Sequence, residues 1–356
     1  MNRGKEGCLV HARVHSKILY SVLLLTPILL SSLLWRPAYG GDRQGNTTPS
    51  IGIAVEFMDH AACAYVAMEK GWFTAAGLNI HTYESYETGM ALAAALARGD
   101  IQAAYLCLVP AINVYKNAGV PIRIVAGTHW YGYGLVVNPD RIRTVKELED
   151  PSIRIGCVRE GGAVDVLMHK TIDTYHLDEK KVLKNVRRMK PSRQILAMKT
   201  GQLDAAFLPE HWATMTESGG AKMLLTSRDI WPGMQGSVLV VREELIQADP
   251  ESVKKLVAVT QKATNWLNRN KEETAQILAR QFSIEARKFS HGTTTGRNRT
   301  AEMTPETLIR SMERIDFRTD IDPGIVQETI NYIERLGYIR DGGDARSLLA
   351  DPVSNE

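Results

Sequence analysis

The feature that most narrows what this chain can fold into is a repeat. SIGIAV (50–55) returns as SIRIGC (152–157), and RGDIQAAYL (98–106) returns as TGQLDAAFL (200–208), both at an offset of 102 residues. Two matches in one register point to a duplicated βα unit that opens with a strand and closes with helix, small turn and strand. The alternative is that two α/β lobes merely share local grammar. Both routes lead to two lobes of similar design.

The runs between the matches alternate in character. IGIAV (51–55), LNIHTY (78–83) and IQAAYLC (101–107) read as strands, with AACAYVAMEKG (61–71) and GMALAAALARG (89–99) as helices between them. The strands are short and mostly apolar without clean polar alternation, which suits a parallel sheet covered by helices on both faces. THWYGYGLVVN (128–138) and GSVLVV (236–241) each read as an extended run passing from one lobe to the other. The expected organisation is lobe 1 over 46–130 and 240–340 and lobe 2 over 131–239. Helices are expected at 251–270, 304–315 and 322–339, the last opened by Asp322 as cap and Pro323 at its first position. RKFSHGTTTGRNRT (287–300) reads as a polar loop, and 341–356 as a flexible tail.

The first 40 residues stand apart. Arg3, Lys5, Arg13 and Lys17 precede ILYSVLLLTPILLSSLLW (18–35), which has no charge, and Ala38-Tyr39-Gly40 offers small residues where a signal peptidase reads. This is the pattern of a secretory signal over 1–40, cut near Gly40, with a retained anchor as the alternative. Cys8 precedes the apolar run and so cannot be a lipidated residue at the mature terminus. Five of the 43 basic residues and one of the 40 acidic residues fall in this segment, which leaves 38 basic against 39 acidic. A near-neutral chain gives no electrostatic reason to expect nucleic acid. Cys63, Cys107 and Cys157 remain, an odd number with no disulfide framework.

Two open α/β lobes with two passages between them make a cleft, and ligands gather at the carboxyl ends of the strands, where helices begin. The offset sets 57–60 opposite 159–162, 85–88 opposite 187–190, and 107–110 opposite 209–212. Candidate contacts from the first wall are Met58, Asp59, His60, Tyr86, Glu87, Thr88 and Cys107. The second wall supplies Glu160, Gly161, Gly162, Glu210, His211 and Trp212, and the first passage supplies His129, Trp130 and Tyr131. Each has a plainer reading: Asp59 and Thr88 as helix caps, Glu87 as a helix-dipole partner, the two glycines as a turn, and the aromatics as packing. Neither CxxC nor HxxxH spacing occurs among Cys63, Cys107, Cys157, Met58, His60, His129 and His211, so no metal is expected. There is no G-x-S-x-G, P-loop or H-E-x-x-H motif, so no catalytic residue and no cofactor is expected.

YVAMEKGWFTAAGLNI (65–80), LARGDIQAAYL (96–106), AGVPIRIVAG (118–127) and IRIGCVREGGA (153–163) resemble the periplasmic solute-binding proteins of ABC importers, in the branch that handles nitrate, sulfonates, taurine, bicarbonate and the pyrimidine precursor of thiamine. The resemblance spans about 50 to 340. It implies an α/β, two-lobe, type II periplasmic-binding-protein fold with two interlobe crossovers and C-terminal helices. It also implies a periplasmic monomer that closes over a small-molecule ligand and docks on an ABC permease in the inner membrane. Relatives often carry a histidine in the first loop, where His60 stands. The cysteine-rich motif of a thiamine-pyrimidine-forming relative is missing.

Asp59, Glu87, Glu160 and Glu210 outnumber the main fixed cation among the candidates, Arg159. Carboxylates with aromatics suit a planar nitrogen-containing ligand of the aminopyrimidine kind; a small oxyanion such as a sulfonate or nitrate is the alternative. Two further alternatives stay open: a cleft enzyme using His60 with Glu87 or Glu160 for proton transfer, and a sensor that serves a signalling partner.

Overall fold

The apolar runs of the repeat form strands buried on both faces, and the segments between them form the covering helices. The computed structural model describes residues 50–290 and 303–350, the side chains of 287–290 excepted. The signal expected over 1–40 lies outside the described residues.

The first half of the chain contains β1 (Ser50–Glu56), α1 (Ala62–Glu69), α2 (Trp72–Ala75), β2 (Asn79–Tyr86), α3 (Gly89–Arg98), β3 (Ala103–Cys107), α4 (Leu108–Ala118) and β4 (Ile122–Tyr131). The second contains β5 (Tyr133–Val137), β6 (Ile155–Cys157), α5 (Ala163–Thr174), α6 (Glu179–Asn185), β7 (Val186–Arg188), α7 (Pro191–Lys199), β8 (Ala205–Pro209), α8 (Glu210–Ser218), β9 (Lys222–Thr226), α9 (Ser227–Ile230) and β10 (Gln235–Arg242). After it come α10 (Glu243–Ala248), α11 (Pro250–Leu267), α12 (Lys271–Ser290), α13 (Pro305–Met312), β11 (Ile315–Asp316) and α14 (Pro323–Arg335).

Among the described residues these strands form two sheets, ordered β11-β4-β10-β3-β1-β2 and β9-β5-β8-β6-β7. β1 is parallel to β2 and β3, and β6 is parallel to β7 and β8. β10 lies antiparallel between β3 and β4, as β5 does between β8 and β9. The repeat reaches these antiparallel strands as well. Tyr133 of β5 and Gln235 of β10 stand at the same offset as Ala103 and Ala205, so β5 closes the first copy of the repeat and β10 the second, yet each strand joins the sheet built by the other copy. Identity there is reduced to Gly134 with Gly236 and Val136 with Val238, too little to register as a match.

The first passage between sheets falls inside the expected run 128–138, at the step from Tyr131 to Tyr133. The second falls earlier than expected. Residues 236–241 lie within β10, and the passage is made by 227–234, through the single turn of α9. The two passages run side by side: the Tyr131 amide donates to Met234 O at 2.9 Å, and the Gly233 amide to the Tyr131 hydroxyl at 3.3 Å.

Two further expectations are corrected. Residues 287–290 belong to the end of α12 rather than to a loop, while 291–300 lie outside the described residues. Residues 341–350 are no flexible tail. Leu348 is buried, and the amide of Ile124 donates to Leu348 O at 2.8 Å while Ala350 donates back to Ile124 O at 2.9 Å. Strand β4 has donors and acceptors left over at this point, and the tail satisfies them. Residues 351–356 lie outside the described residues. Helix α14, capped by Asp322 as expected, touches both halves: it packs on α4, and its Tyr332 hydroxyl donates to Asp173 of α5 at 2.9 Å.

The chain turns sharply at the passage through Tyr131 and Gly132. Both residues have positive φ, 65° and 84°. A Cβ on Gly132 would sit 2.7 Å from His60 Nε2. Gly132→Ala is therefore expected to destabilise the chain by on the order of 1–3 kcal/mol, from the left-handed backbone together with the clash. Urea denaturation checks this, and an unchanged midpoint would contradict it.

Candidate functional site

The parallel strands β1 and β3 end at Glu56 and Cys107, and β6 and β8 end at Cys157 and Pro209. Between these two sets of strand ends lies a cleft of about 640 Å³, lined from both sheets and their helices. That volume suits one small organic molecule. Its walls are largely apolar, with Met58, Met90, Pro110, Val158, Val164 and Pro191 among them, and Tyr133 crosses the back from β5.

The floor carries one acid. Glu56 is 1 % exposed, and its Oε2 accepts the Cys107 amide at 3.0 Å and the Cys107 thiol at 2.8 Å. The Tyr133 hydroxyl in turn donates to Cys107 Sγ at 2.9 Å, and the Ser237 hydroxyl lies 3.6 Å from it. Glu56 Oε1 has no hydrogen-bond partner among the described residues. It lies against Gly89, the first residue of α3, where a Cβ would come within 1.9 Å of it. Glycine is needed there for the carboxyl to fit. Burial pushes the Glu56 carboxyl up to about 7, although both Cys107 bonds pull it down. Burial, with the Glu56 charge beside it, pushes the Cys107 thiol well above the usual thiol range.

The walls meet at the rim. Lys190 Nζ and Ser192 Oγ each reach Glu87 at 2.8 Å, and Asn113 Nδ2 donates to Gly161 O at 2.9 Å. Each of these bonds runs from one half of the repeat to the other. Arg188 on the second wall is bonded to buried Asp165 and to Val158 O.

Of the residues expected from sequence, Met58, Glu87, Thr88, Cys107, Glu160 and Gly162 line the cleft. Thr88 also caps α3, accepting from the Ala91 amide at 3.3 Å. Gly161 stands beside the cleft as the Asn113 acceptor. The others lie elsewhere. Asp59 caps no helix. Its carboxylate is buried against His211 Nδ1 at 3.2 Å and the Ser311 hydroxyl. Burial pushes Asp59 up, but the charges of His211 and His60 with the His211 and Ser311 hydrogen bonds outweigh it and leave it at about 2. Glu210 is paired with Arg314 at 2.9 Å, and Trp212 packs on Phe57. His60 donates Nε2–H to Gly132 O at 2.5 Å, with the His129 ring 4.2 Å away. Burial, against the pull of Asp59 and the Gly132 bond, lowers His60 to about 4, and burial keeps His129 well below the imidazole range. Trp130 and Tyr131 lie under the Arg318 and Arg228 guanidiniums, and the Tyr86 hydroxyl donates to Glu84.

The physical reason is shared. The turn before α1 and the start of α8 meet at Gly132 of the first passage, so their polar residues bind each other and α13 instead of facing the cleft. His60 therefore does not share the cleft with Glu87 or Glu160, and the proton-transfer pair weighed from the sequence is not assembled.

Arg159, the cation singled out from sequence, also lines the cleft, whereas Glu56, Gly89, Tyr133, Arg188 and Lys190 were missed as cleft residues. The offset already set 187–190 opposite 85–88, so Arg188 and Lys190 were within reach. Glu56 directly follows the run read as a strand, 51–55, and belongs to no motif. Glu56, His60 and Cys107 bring a carboxylate oxygen, an imidazole nitrogen and a sulfur within 4.8 Å of one another, donor types of a soft-metal site that the spacing did not suggest. Cys107 keeps its thiol proton and donates it to Glu56 Oε2, and a metal would have to expel it.

The NMT1-like family model matches residues 44–282. A protein of Brucella abortus (strain 2308) named as a binding protein is 25% identical over 248 residues, covering 67% of this chain and 72% of its own. Among solved structures, the alkanesulfonate-binding protein SsuA from Xanthomonas axonopodis pv. citri superposes with a TM-score of 0.68 at 15% identity, over 85% of this chain and 98% of its own. The nitrate-binding protein NrtA from Synechocystis PCC 6803 gives 0.66 at 18% identity, over 84% of each chain. The two-lobe periplasmic-binding-protein fold is thereby shared.

The Glu56 carboxyl sits above its unfolded value, so the folded chain holds the extra proton between about pH 4.5 and 7. Its contribution is present below that window and is lost as pH rises through it. Glu56→Gln removes the titration, so the stability of the variant relative to wild type is expected to improve by on the order of 3 kcal/mol from pH 4 to pH 8. Urea titrations at the two pH values measure it, and a pH-independent difference would contradict the shift.

Proposed function

The chain belongs to the NMT1-like family, and from that premise we propose that it is the exported solute-binding component of an ABC importer. It captures a small solute between its two lobes in the periplasm and delivers it to a permease in the inner membrane. The cleft is the observation that carries this reading: about 640 Å³, walled by both halves of a duplicated unit, with two adjacent backbone passages behind it as a hinge. Such a hinge lets the walls part and close as rigid bodies around a ligand that touches both. A fold can host many functions, so the ligand class has to come from the site itself.

For the ligand, the preferred class is a small, planar, nitrogen-containing molecule that donates N–H, of the aminopyrimidine kind. A buried carboxyl with a spare acceptor atom on the floor favours a donor over an acceptor. The apolar walls and Tyr133 favour a flat ring. A second reading, a small oxyanion, is favoured by Arg159, Arg188 and Lys190 on the opposite wall and by the sulfonate and nitrate named for the structural neighbours.

Native mass spectrometry of protein purified from its own host is expected to release one nitrogen-containing small molecule. Release of a sulfonate or nitrate alone would favour the second reading, and a chain that carries and binds no solute would contradict the import role. The rim pair sets a smaller effect. Glu87→Ala, which removes the Lys190 and Ser192 bonds, is expected to weaken solute binding by up to about fivefold, since a partly exposed ion pair contributes at most about 1 kcal/mol. Titration calorimetry reads this, and a loss beyond a hundredfold would make Glu87 a direct ligand contact.

A further inference from the structure

Helix N-termini attract anions, because their first amides are unpaired and the helix dipole is positive there. The heads of α3 and α4 meet at the floor of this cleft, and a carboxyl of the chain already lies between them. Glu56 Oε2 takes the amide of Cys107, the residue that opens α4, and the thiol of the same residue. Oε1 lies against Gly89, the first residue of α3, closely enough that any side chain there would collide with it. The two helices have 10 and 11 residues. Oε1, nevertheless, has no partner among the described residues, in a side chain 1 % exposed. Two of the three cations of the opposite wall are engaged as well, Arg188 with Asp165 and Lys190 with Glu87.

We infer that Glu56 is the specificity-determining residue of the cleft: its carboxyl fills the position, between the heads of α3 and α4, that would otherwise hold a small oxyanion. This rests on the solute-binding reading and deepens it. Above about pH 7, where the Glu56 proton is lost, an oxyanion at the floor would meet a carboxylate at close range in a poorly solvated site, where like charges repel strongly. A solute with an N–H at the same place gives Oε1 the donor it lacks, and a buried acceptor left unpaired is costly. The chain's own side chain thus acts as a built-in competitor for anions and as an acceptor for donors.

The test titrates methanesulfonate and nitrate at pH 8, above the Glu56 titration, into the wild type, Glu56→Gln and Glu56→Ala by calorimetry, with thermal melts to confirm folding. Glu56→Ala is expected to bind at least one of the two anions roughly a hundredfold more tightly than the wild type, the size expected for removal of a close like charge. Glu56→Gln keeps an acceptor for the Cys107 amide, and it should show the same direction if the alanine variant folds poorly. A wild type that binds either anion as tightly as the variants overturns the inference. So does the failure of all three proteins to bind, because no anion position then opens when the carboxyl is gone. In that last case the solute-binding reading survives as long as native mass spectrometry still finds a small molecule carried by the wild type.

Discussion

One carbonyl holds the two halves of this molecule in register. Gly132 O accepts from His60 Nε2 at 2.5 Å, from the first lobe, and from the amide of Glu210 at 2.9 Å, which opens α8 in the second. It does so at the point where the chain itself passes from one sheet to the other. Burial keeps the His60 ring neutral, so the bond joins a neutral donor to a backbone acceptor and survives without solvent. The second passage lies hydrogen-bonded alongside, through Tyr131 and Met234.

That arrangement decides which polar residues face the solute. A hinge built from backbone alone would leave the starts of α1 and α8 unsatisfied. Here Asp59 binds His211 and Ser311, and Glu210 is held by Arg314, so these conspicuous charged residues serve the crossing and not the cleft. The cleft in front retains a quieter set. Its floor is Glu56 with Cys107 and Tyr133, and its rim is Glu87 with Lys190 and Ser192. An acid that lies on the floor rather than at the rim is desolvated, and its charge matters more there than any surface pair.

Much of the architecture was legible because it rests on backbone pattern. The offset of SIGIAV and RGDIQAAYL fixed the strands that end at the cleft, and short apolar runs identified parallel sheets. The offset also carried Arg188 and Lys190 to the correct wall. Side-chain direction was not legible in the same way. Within THWYGY, the left-handed residues Tyr131 and Gly132 break the strand alternation, so Tyr133 reaches the cleft while Trp130 and Tyr131 lie under arginines. His60 follows Met58 by two residues, yet only Met58 lines the cleft, because the turn at Asp59–Ala61 rotates the next side chains into the crossing. Glu56 was overlooked since a strand-terminal glutamate ordinarily points to water. Nothing local signals that Gly89, more than 30 positions on, leaves room for its carboxyl. The fate of 341–350 depended on free hydrogen-bonding groups of β4, which no pattern in the tail itself reveals.

The most direct measurement is a crystal structure of the protein with the solute it carries from its own host. The account predicts density in the cleft between the two sheets, with a donor atom of the solute within hydrogen-bonding distance of Glu56 Oε1 and the ring bounded by residues of both lobes. A solute bound outside this cleft, or one that touches a single lobe and leaves Glu56 Oε1 unpaired, would contradict it.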